Sequence, residues 1–293
     1  MIHVLHFICN PIAGHGTVQA ALSTIEPILR GRGAAYAIHE TRGHRDGVNL
    51  ARELSEGGAE DIIAMGGDGT LNEVLNGLAD PSKVRLGLIP CGNGNDFAAA
   101  ARIPTDAGKA LEIILDGEAR YTDYMECSGV RGINIIGTGI DVDILRRYAR
   151  MKLLRGSAAY LASLVLTLFS YRPYAFEEAA DGERTRHSAF IACAGNGISY
   201  GGGIPICPKA VIDDGLLDIV IVDNIKKPAI PGAFVKLMKR QVLELKTTTF
   251  KRQDVLRIQS ESPMPIQIDG EIYEDLPFDV RLIHNRLRFY RPA

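Results

Sequence analysis

The sequence predicts an α/β domain followed by a mainly β domain. Three observations predict it. Residues 1–122 alternate short apolar runs with amphipathic ones, the pattern of an open, doubly wound α/β sheet. Beyond them, short β-rich runs follow one another between turn residues, as in an antiparallel domain. Glycine-rich loops also follow three strands of the first domain, at the sheet edge where α/β folds bind ligands.

In the first domain the strands fall at 2–9, 34–39, 61–65 and 85–89, and the helices at 17–30, 44–56, 70–79 and 105–116. Leu71, Val74, Leu75 and Leu78 form one apolar stripe at i, i+3, i+4 and i+7. Thr70 and Glu73 have capping-box spacing, which starts that helix at Thr70. In the second domain, 123–293, the strand runs are "RGINIIG", "SAFIACAG", "LLDIVIV", "KTTTF", "VLRIQS", "PIQIDG" and "FDVRLI". Helical segments interrupt them at about 143–171 and 228–243, and the last strand is free to return to the first domain. The uncharged stretch "GSAAYLASLVLTLFSY" is too short and too rich in small and hydroxyl residues for a membrane span, so it reads as a buried helix.

Composition narrows the function. A net charge of −2 excludes a broadly basic nucleic-acid binder. Five scattered cysteines with no Cys-x-x-Cys pair argue against a zinc site or a disulfide framework and suit a reducing compartment. The opening apolar run has no basic leader and reads as a first strand. Against this background the bases are unevenly spread. Arg146, Arg147, Arg150, Lys152 and Arg155 crowd one helical segment; Lys226, Lys227, Lys236, Lys239, Arg240, Lys246, Lys251 and Arg252 crowd another. Either suits transient docking on anionic lipid, and either alone reads equally as a solvated face.

The candidate site lies in three loops, "CNPIAGHG" (9–16), "GGDGT" (66–70) and "IPCGNGNDF" (89–97). Glycine lets the backbone approach a ligand, and a helix N-terminus offers N–H groups to a phosphate. A carboxylate set among such glycines is repelled by phosphate unless a cation lies between, so Asp68 points to magnesium. Asn10, Asn93 and Asn95 can hydrogen-bond phosphate, ribose or one another; taken singly, each is an ordinary turn residue. "VIDDGLLDI" and "IQIDGEIYED" place acidic residues at turns of the second domain. Asp269-Gly270 is a plain hairpin signal, but Glu271 directly after it is a poor strand residue that needs another reason.

Together "NPIAG", "GGDGTLNEVLNGL", "IPCGNGNDFA", "GNGISYGGGIPICPKAVIDDGLLDI" and "DGE" resemble the diacylglycerol kinase catalytic-domain family, specifically the soluble bacterial lipid kinases. The blocks stand in family order over residues 9–271. Gly-Gly-Asp-Gly-Thr is shared with NAD kinases and phosphofructokinases; the third and fourth blocks are more specific. The resemblance implies an N-terminal doubly wound, NAD-kinase-like α/β domain and a C-terminal β-sandwich domain with inserted helices, with ATP bound between them. It implies a nucleotide site formed by Asn10, Pro11, Ile12, Ala13, Gly14, Thr41, Gly66, Gly67, Asp68, Gly69, Thr70, Leu71, Asn72 and Asn93. Asp68 would engage Mg2+ at the phosphates and Glu271 would be the general base. Asp214, with carbonyls near Val211 and Leu216, would hold a second, structural Mg2+, and Asp96 would link it to the site. Ala13 stands where the family often has Ser, Thr17 where it often has a base, and Asn93 where it often has Ser or Thr.

The expected activity is ATP-dependent phosphorylation of a lipid hydroxyl such as that of diacylglycerol, in a cytoplasmic protein peripheral at the inner membrane face. Expected partners are ATP, a lipid alcohol and an anionic membrane surface, with homodimerisation an open option and nucleic acid excluded. A kinase of NAD or another small molecule, and a nucleotide- or lipid-binding regulator without turnover, are the alternatives.

Overall fold

The computed structural model describes residues 3–150, 162–163, 165–168, 170–180 and 183–292. Lys152 and Arg155 of the first basic cluster, and half of the 156–171 stretch, lie outside the described residues. The chain divides into two compact units. One comprises residues 1–124 with 284–293, and the other residues 125–283.

The first unit is built on a parallel sheet of β1 (Val4–Cys9), β2 (Ala35–Glu40), β3 (Asp61–Gly66) and β4 (Arg85–Pro90). Its order is β4-β3-β1-β2, with β1 central between β3 and β2. Every residue of β3 is buried, as expected of a parallel strand covered on both faces. Helices α1 (Thr17–Gly31) and α5 (Ala107–Asp116) pack together, as do α2 (Asp46–Glu56) and α3 (Asp68–Gly77). The periodicity of these segments predicts each of them to within two residues. It does not predict α4 (Asp96–Ala100), a single turn and a half too short to show a period.

One prediction fails at α3. The helix begins at Asp68, with Gly67 as N-cap and no side-chain cap, so Thr70 and Glu73 form no capping box. Glu73 turns instead to α2, where its two carboxylate oxygens accept the backbone N–H groups of Arg45 (3.0 Å) and Gly47 (3.0 Å). The spacing was present, but an unfilled helix start in the neighbouring element took the carboxylate.

The second unit is antiparallel. Its longest strand, β9 (Glu183–Gly195), pairs with β8 (Tyr174–Ala180), β7 (Ile135–Gly139) and β10 (Leu217–Asp223). Further strands are β6 (Val130–Gly132), which pairs with the end of β5 (Ala119–Cys127), β11 (Thr248–Gln253), β12 (Val255–Gln259), β13 (Ile266–Ile268) and β14 (Glu271–Tyr273). β15 (Phe278–Tyr290) begins in this unit, pairing Phe278–Arg281 with β12.

Alternation along β7, β9 and β10 gives the sheet two buried faces. Ile136, Ala194 and Ile219 face a core shared with Leu256, Ile266, Ile268 and Val280 of β12, β13 and β15. Ile135, Cys193 and Val220 face the opposite core, which is covered by Ile140 and Ile144 of α6 (Ile140–Arg150) and by Phe234 and Leu237 of α7 (Ile230–Met238). The inserted helices therefore serve as the lid of the sandwich's outer face. The second basic cluster is not one helical face: Lys251 bonds Glu178 on β8 and Arg252 pairs with Asp214 and Asp218.

Candidate active site

The three predicted loops of the first unit meet one another. Asn10 Nδ2 donates to Thr70 Oγ1 (3.2 Å), and the Asn10 amide donates to the Met65 carbonyl (3.1 Å). Thr41 is drawn beside the first loop by its amide on the Cys9 carbonyl (2.9 Å). Gly14 has φ +58°, and a Cβ there would strike the Cys91 carbonyl of the third loop. A Cβ on Gly67 would lie 3.0 Å from the Cα of Gly92, so the second and third loops touch backbone to backbone. Only glycine permits either approach.

Asp68 is held at the centre of this junction. Its Oδ2 accepts the Asp96 amide (3.2 Å) and its Oδ1 accepts the Phe97 amide (3.1 Å). The carboxylate therefore sits on the N-terminal amides of α4, where the helix dipole favours a negative charge. Asn95, at φ +53°, braces the loop by exchanging hydrogen bonds with Gly92 N–H (2.9 Å) and C=O (2.8 Å). The sequence motif raises the expectation of a cation at Asp68; the structure shows the carboxylate as an anchor for the next loop. Phe97, which sequence reasoning passed over, packs its ring edge-on against Phe289 at 5.2 Å.

The other predicted nucleotide residues divide into two sets. Pro11, Ile12, Gly69 and Asn93 are exposed on the loops, Ile12 at 83%. Ala13, Gly14 and Gly67 are half-buried. Leu71 is fully buried and its amide donates within α3 to the Gly67 carbonyl (3.1 Å), so it belongs to the core and not to the loop surface. Asn72 is 5% exposed and accepts from Asn76 Nδ2 (3.2 Å).

In the second unit Glu271 begins β14, exposed, directly after the turn at Asp269 (φ +48°) and Gly270 (φ +93°). The turn is the hairpin that Asp-Gly predicts. Its aspartate does more than turn the chain. Asp269 Oδ2 accepts the Ile133 amide (2.7 Å), and Oδ1 accepts the amides of Asn134 (2.9 Å) and Ile135 (3.0 Å). Asn134 Nδ2 in turn donates to the Ser199 carbonyl (2.6 Å), and Asn196 Nδ2 donates to the Ile133 carbonyl (2.8 Å). The hairpin bearing Glu271 is thus locked to the glycine-rich "GNGISYGGG" loop. No local pattern announces these links, because each joins residues far apart in the chain.

Asp214 lies in the turn before β10. Its Oδ1 accepts the Leu216 amide (3.1 Å), and its Oδ2 pairs with Arg252, which also bonds the buried Asp218 (3.0 Å). Val211 is 44% exposed. In this arrangement the guanidinium of Arg252 is the cation that faces the Asp214 carboxylate. Among the described residues no group of three or more His, Cys, Asp or Glu is arranged to hold a metal.

Residues 4–127 match the model of the diacylglycerol kinase catalytic domain, and residues 134–291 match that of the YegS C-terminal NAD kinase beta sandwich-like domain. The chain belongs to the diacylglycerol kinase catalytic-domain family. A relative from Chromohalobacter salexigens named "Probable lipid kinase YegS-like" is 33% identical over 83% of this chain and 79% of its own. A "Diacylglycerol kinase" from Mycobacterium tuberculosis is 29% identical over 97% of this chain and 93% of its own. The crystal structure of a diacylglycerol kinase from Bacillus anthracis superposes with a TM-score of 0.75 at 22% identity, covering 100% of this chain and 97% of that one. An NAD kinase from Archaeoglobus fulgidus gives a TM-score of 0.53 at 12% identity, covering 98% and 93%. The expected fold, an NAD-kinase-like α/β domain with a C-terminal β-sandwich, is the fold of this protein. Membership makes it a lipid-kinase-like protein.

Proposed function

We propose that the protein transfers the γ-phosphoryl group of Mg·ATP to the hydroxyl of a membrane lipid, diacylglycerol or a related lipid alcohol. The observation that carries this reading is the junction of three glycine loops around Asp68 in a member of this family. In this reading the backbone N–H groups of Gly66–Thr70 receive the phosphates. Exposed Ile12 offers an apolar face to the base, and Asn10 and Asn93 offer polar contacts. Magnesium enters with the nucleotide as substrate. Asp68 suits it: two backbone amides fix the direction of the carboxylate, and carboxylate oxygens are the hard donors that magnesium takes.

The acceptor oxygen bonds to the γ-phosphorus as the bond from that phosphorus to the β–γ bridging oxygen breaks, and ADP leaves. The hydroxyl proton passes to Glu271. That carboxylate stands on a hairpin fixed by Asp269, so its position is set by backbone hydrogen bonds and not by its own side-chain packing. Such transfer rests chiefly on positioning and charge neutralisation. Asp96, buried with its amide on Asp68, is a positioning residue in this scheme.

The test is incubation of the purified protein with labelled ATP, magnesium, and either a lipid extract or NAD, followed by mass spectrometry of the labelled product. A phosphorylated lipid supports the proposal. Label on NAD alone, or on neither, overturns it.

A further inference from the structure

We infer that the arginine face of α6 is a binding site for the phosphate headgroup of an anionic glycerophospholipid in the bilayer. A polar hollow of about 570 Å3 opens there, lined by Arg146, Arg147, Arg150, Asp143, Thr167 and Ser170. Its size lies in the range of ligand sites. The nearby apolar hollow, walled by Ile144, Leu168, Phe234 and Leu237 among others, encloses only about 60 Å3 and is a packing gap of the core.

The charges in the hollow are unequally engaged. Arg146 pairs with Glu274. Asp143 accepts the Tyr174 hydroxyl (3.2 Å), and burial raises its pKa, which weakens it as a counter-charge. Among the described residues Arg147 and Arg150 have no carboxylate within 4.0 Å. Arg147 is nonetheless held in place. Its Nε donates to Thr167 Oγ1 (3.0 Å) and its Nη2 to Ser170 Oγ (3.0 Å), and Thr167 is 2% exposed. Among the described residues its side-chain partners are these two neutral hydroxyls, which fix the guanidinium without cancelling its charge. That is a pre-arranged fork for a phosphate oxygen pair.

The neighbouring side chains choose between a free phosphate and a lipid. Val165 and Leu166, adjoining Thr167 in sequence, are 42% and 49% exposed. Val235 and Met238 of α7 are 51% and 48% exposed, on a helix whose Phe234 and Leu237 share the core hollow with Leu168. Exposed aliphatic groups on the segment that holds Arg147, and on a helix that shares its core, match the boundary between headgroups and acyl chains, not bulk water.

The experiment is co-sedimentation with vesicles, without nucleotide, so that it stands or fails apart from turnover. Phosphatidylcholine vesicles containing phosphatidylglycerol should bind the wild type. Arg147→Gln and Arg150→Gln should each weaken binding about fivefold, the effect of about 1 kcal/mol per base. Leu166→Ser should also weaken it, and Arg147→Lys should restore part of what Arg147→Gln loses. Unchanged binding by folded Arg147→Gln, checked by circular dichroism, overturns the site. Equal binding to vesicles given the same charge with oleate overturns the phosphate preference. Displacement of the protein from vesicles by millimolar inorganic phosphate overturns the lipid as its source.

Discussion

At the scale of single residues, Asp68 anchors a loop and has a proposed part in phosphoryl transfer, and a substitution separates the two. Asp68→Asn keeps the shape but turns an N–H donor towards the amides of Asp96 and Phe97. The expected result is a loss of about 1 kcal/mol in stability, read in a denaturant melt, with a much larger loss of turnover. Glu271→Gln should reduce turnover by about 10²–10⁴-fold, with nucleotide affinity retained. A loss confined to KM for ATP would move Glu271 out of the base's role. Both residues stand out in the sequence because each is a carboxylate in a place that local structure does not require. Asp269 was legible only as a turn. Its three backbone partners come from residues more than 130 positions away in the chain, beyond the reach of any local pattern.

At the scale of elements, periodicity located the helices and strands of the first unit, while their ends were decided by neighbours. Glu73 shows this: its spacing suited its own helix, yet it caps α2. Glu73→Ala should destabilise the protein by about 1 kcal/mol, seen as a lower denaturant midpoint at unchanged slope. The start of α6 carries a pH dependence. Asp141, 1% exposed, has its pKa pushed up to about 7 by burial. Between about pH 4 and 7 the unfolded chain has released this proton and the folded chain keeps it. Stability therefore falls as pH rises through that window and levels above it. Asp141→Asn should flatten the fall, measured by urea unfolding at several pH values. In the second unit the sequence marked most of the strands, but missed β8, whose charged residues mask its alternation. Lys251 answers one of them, Glu178, at 2.8 Å.

For the whole molecule, the boundary of the first unit is not a boundary in sequence. Residues 284–293 belong with residues 1–124. The end of β15 pairs in parallel with β4, Arg288 beside Arg85 and Phe289 beside Leu86. Asp61 then gathers the seam: it accepts Arg85 through both oxygens (2.6 and 2.6 Å) and the Tyr290 hydroxyl (2.7 Å). Tyr290→Phe leaves Asp61 with one partner fewer, and a loss of about 1 kcal/mol in thermal stability is expected. Removal of residues 284–293 should cost far more, because it strips fully buried Leu287 and Phe289 from the core.

That seam also reaches the loop around Asp68. Phe97, whose amide donates to Asp68, leans on Phe289 of β15. The two amides that hold the carboxylate therefore owe their fixed place to an aromatic contact with a strand far away in the sequence. Phe289→Leu should speed hydrogen exchange at the Asp96 and Phe97 amides while the parallel sheet keeps its protection.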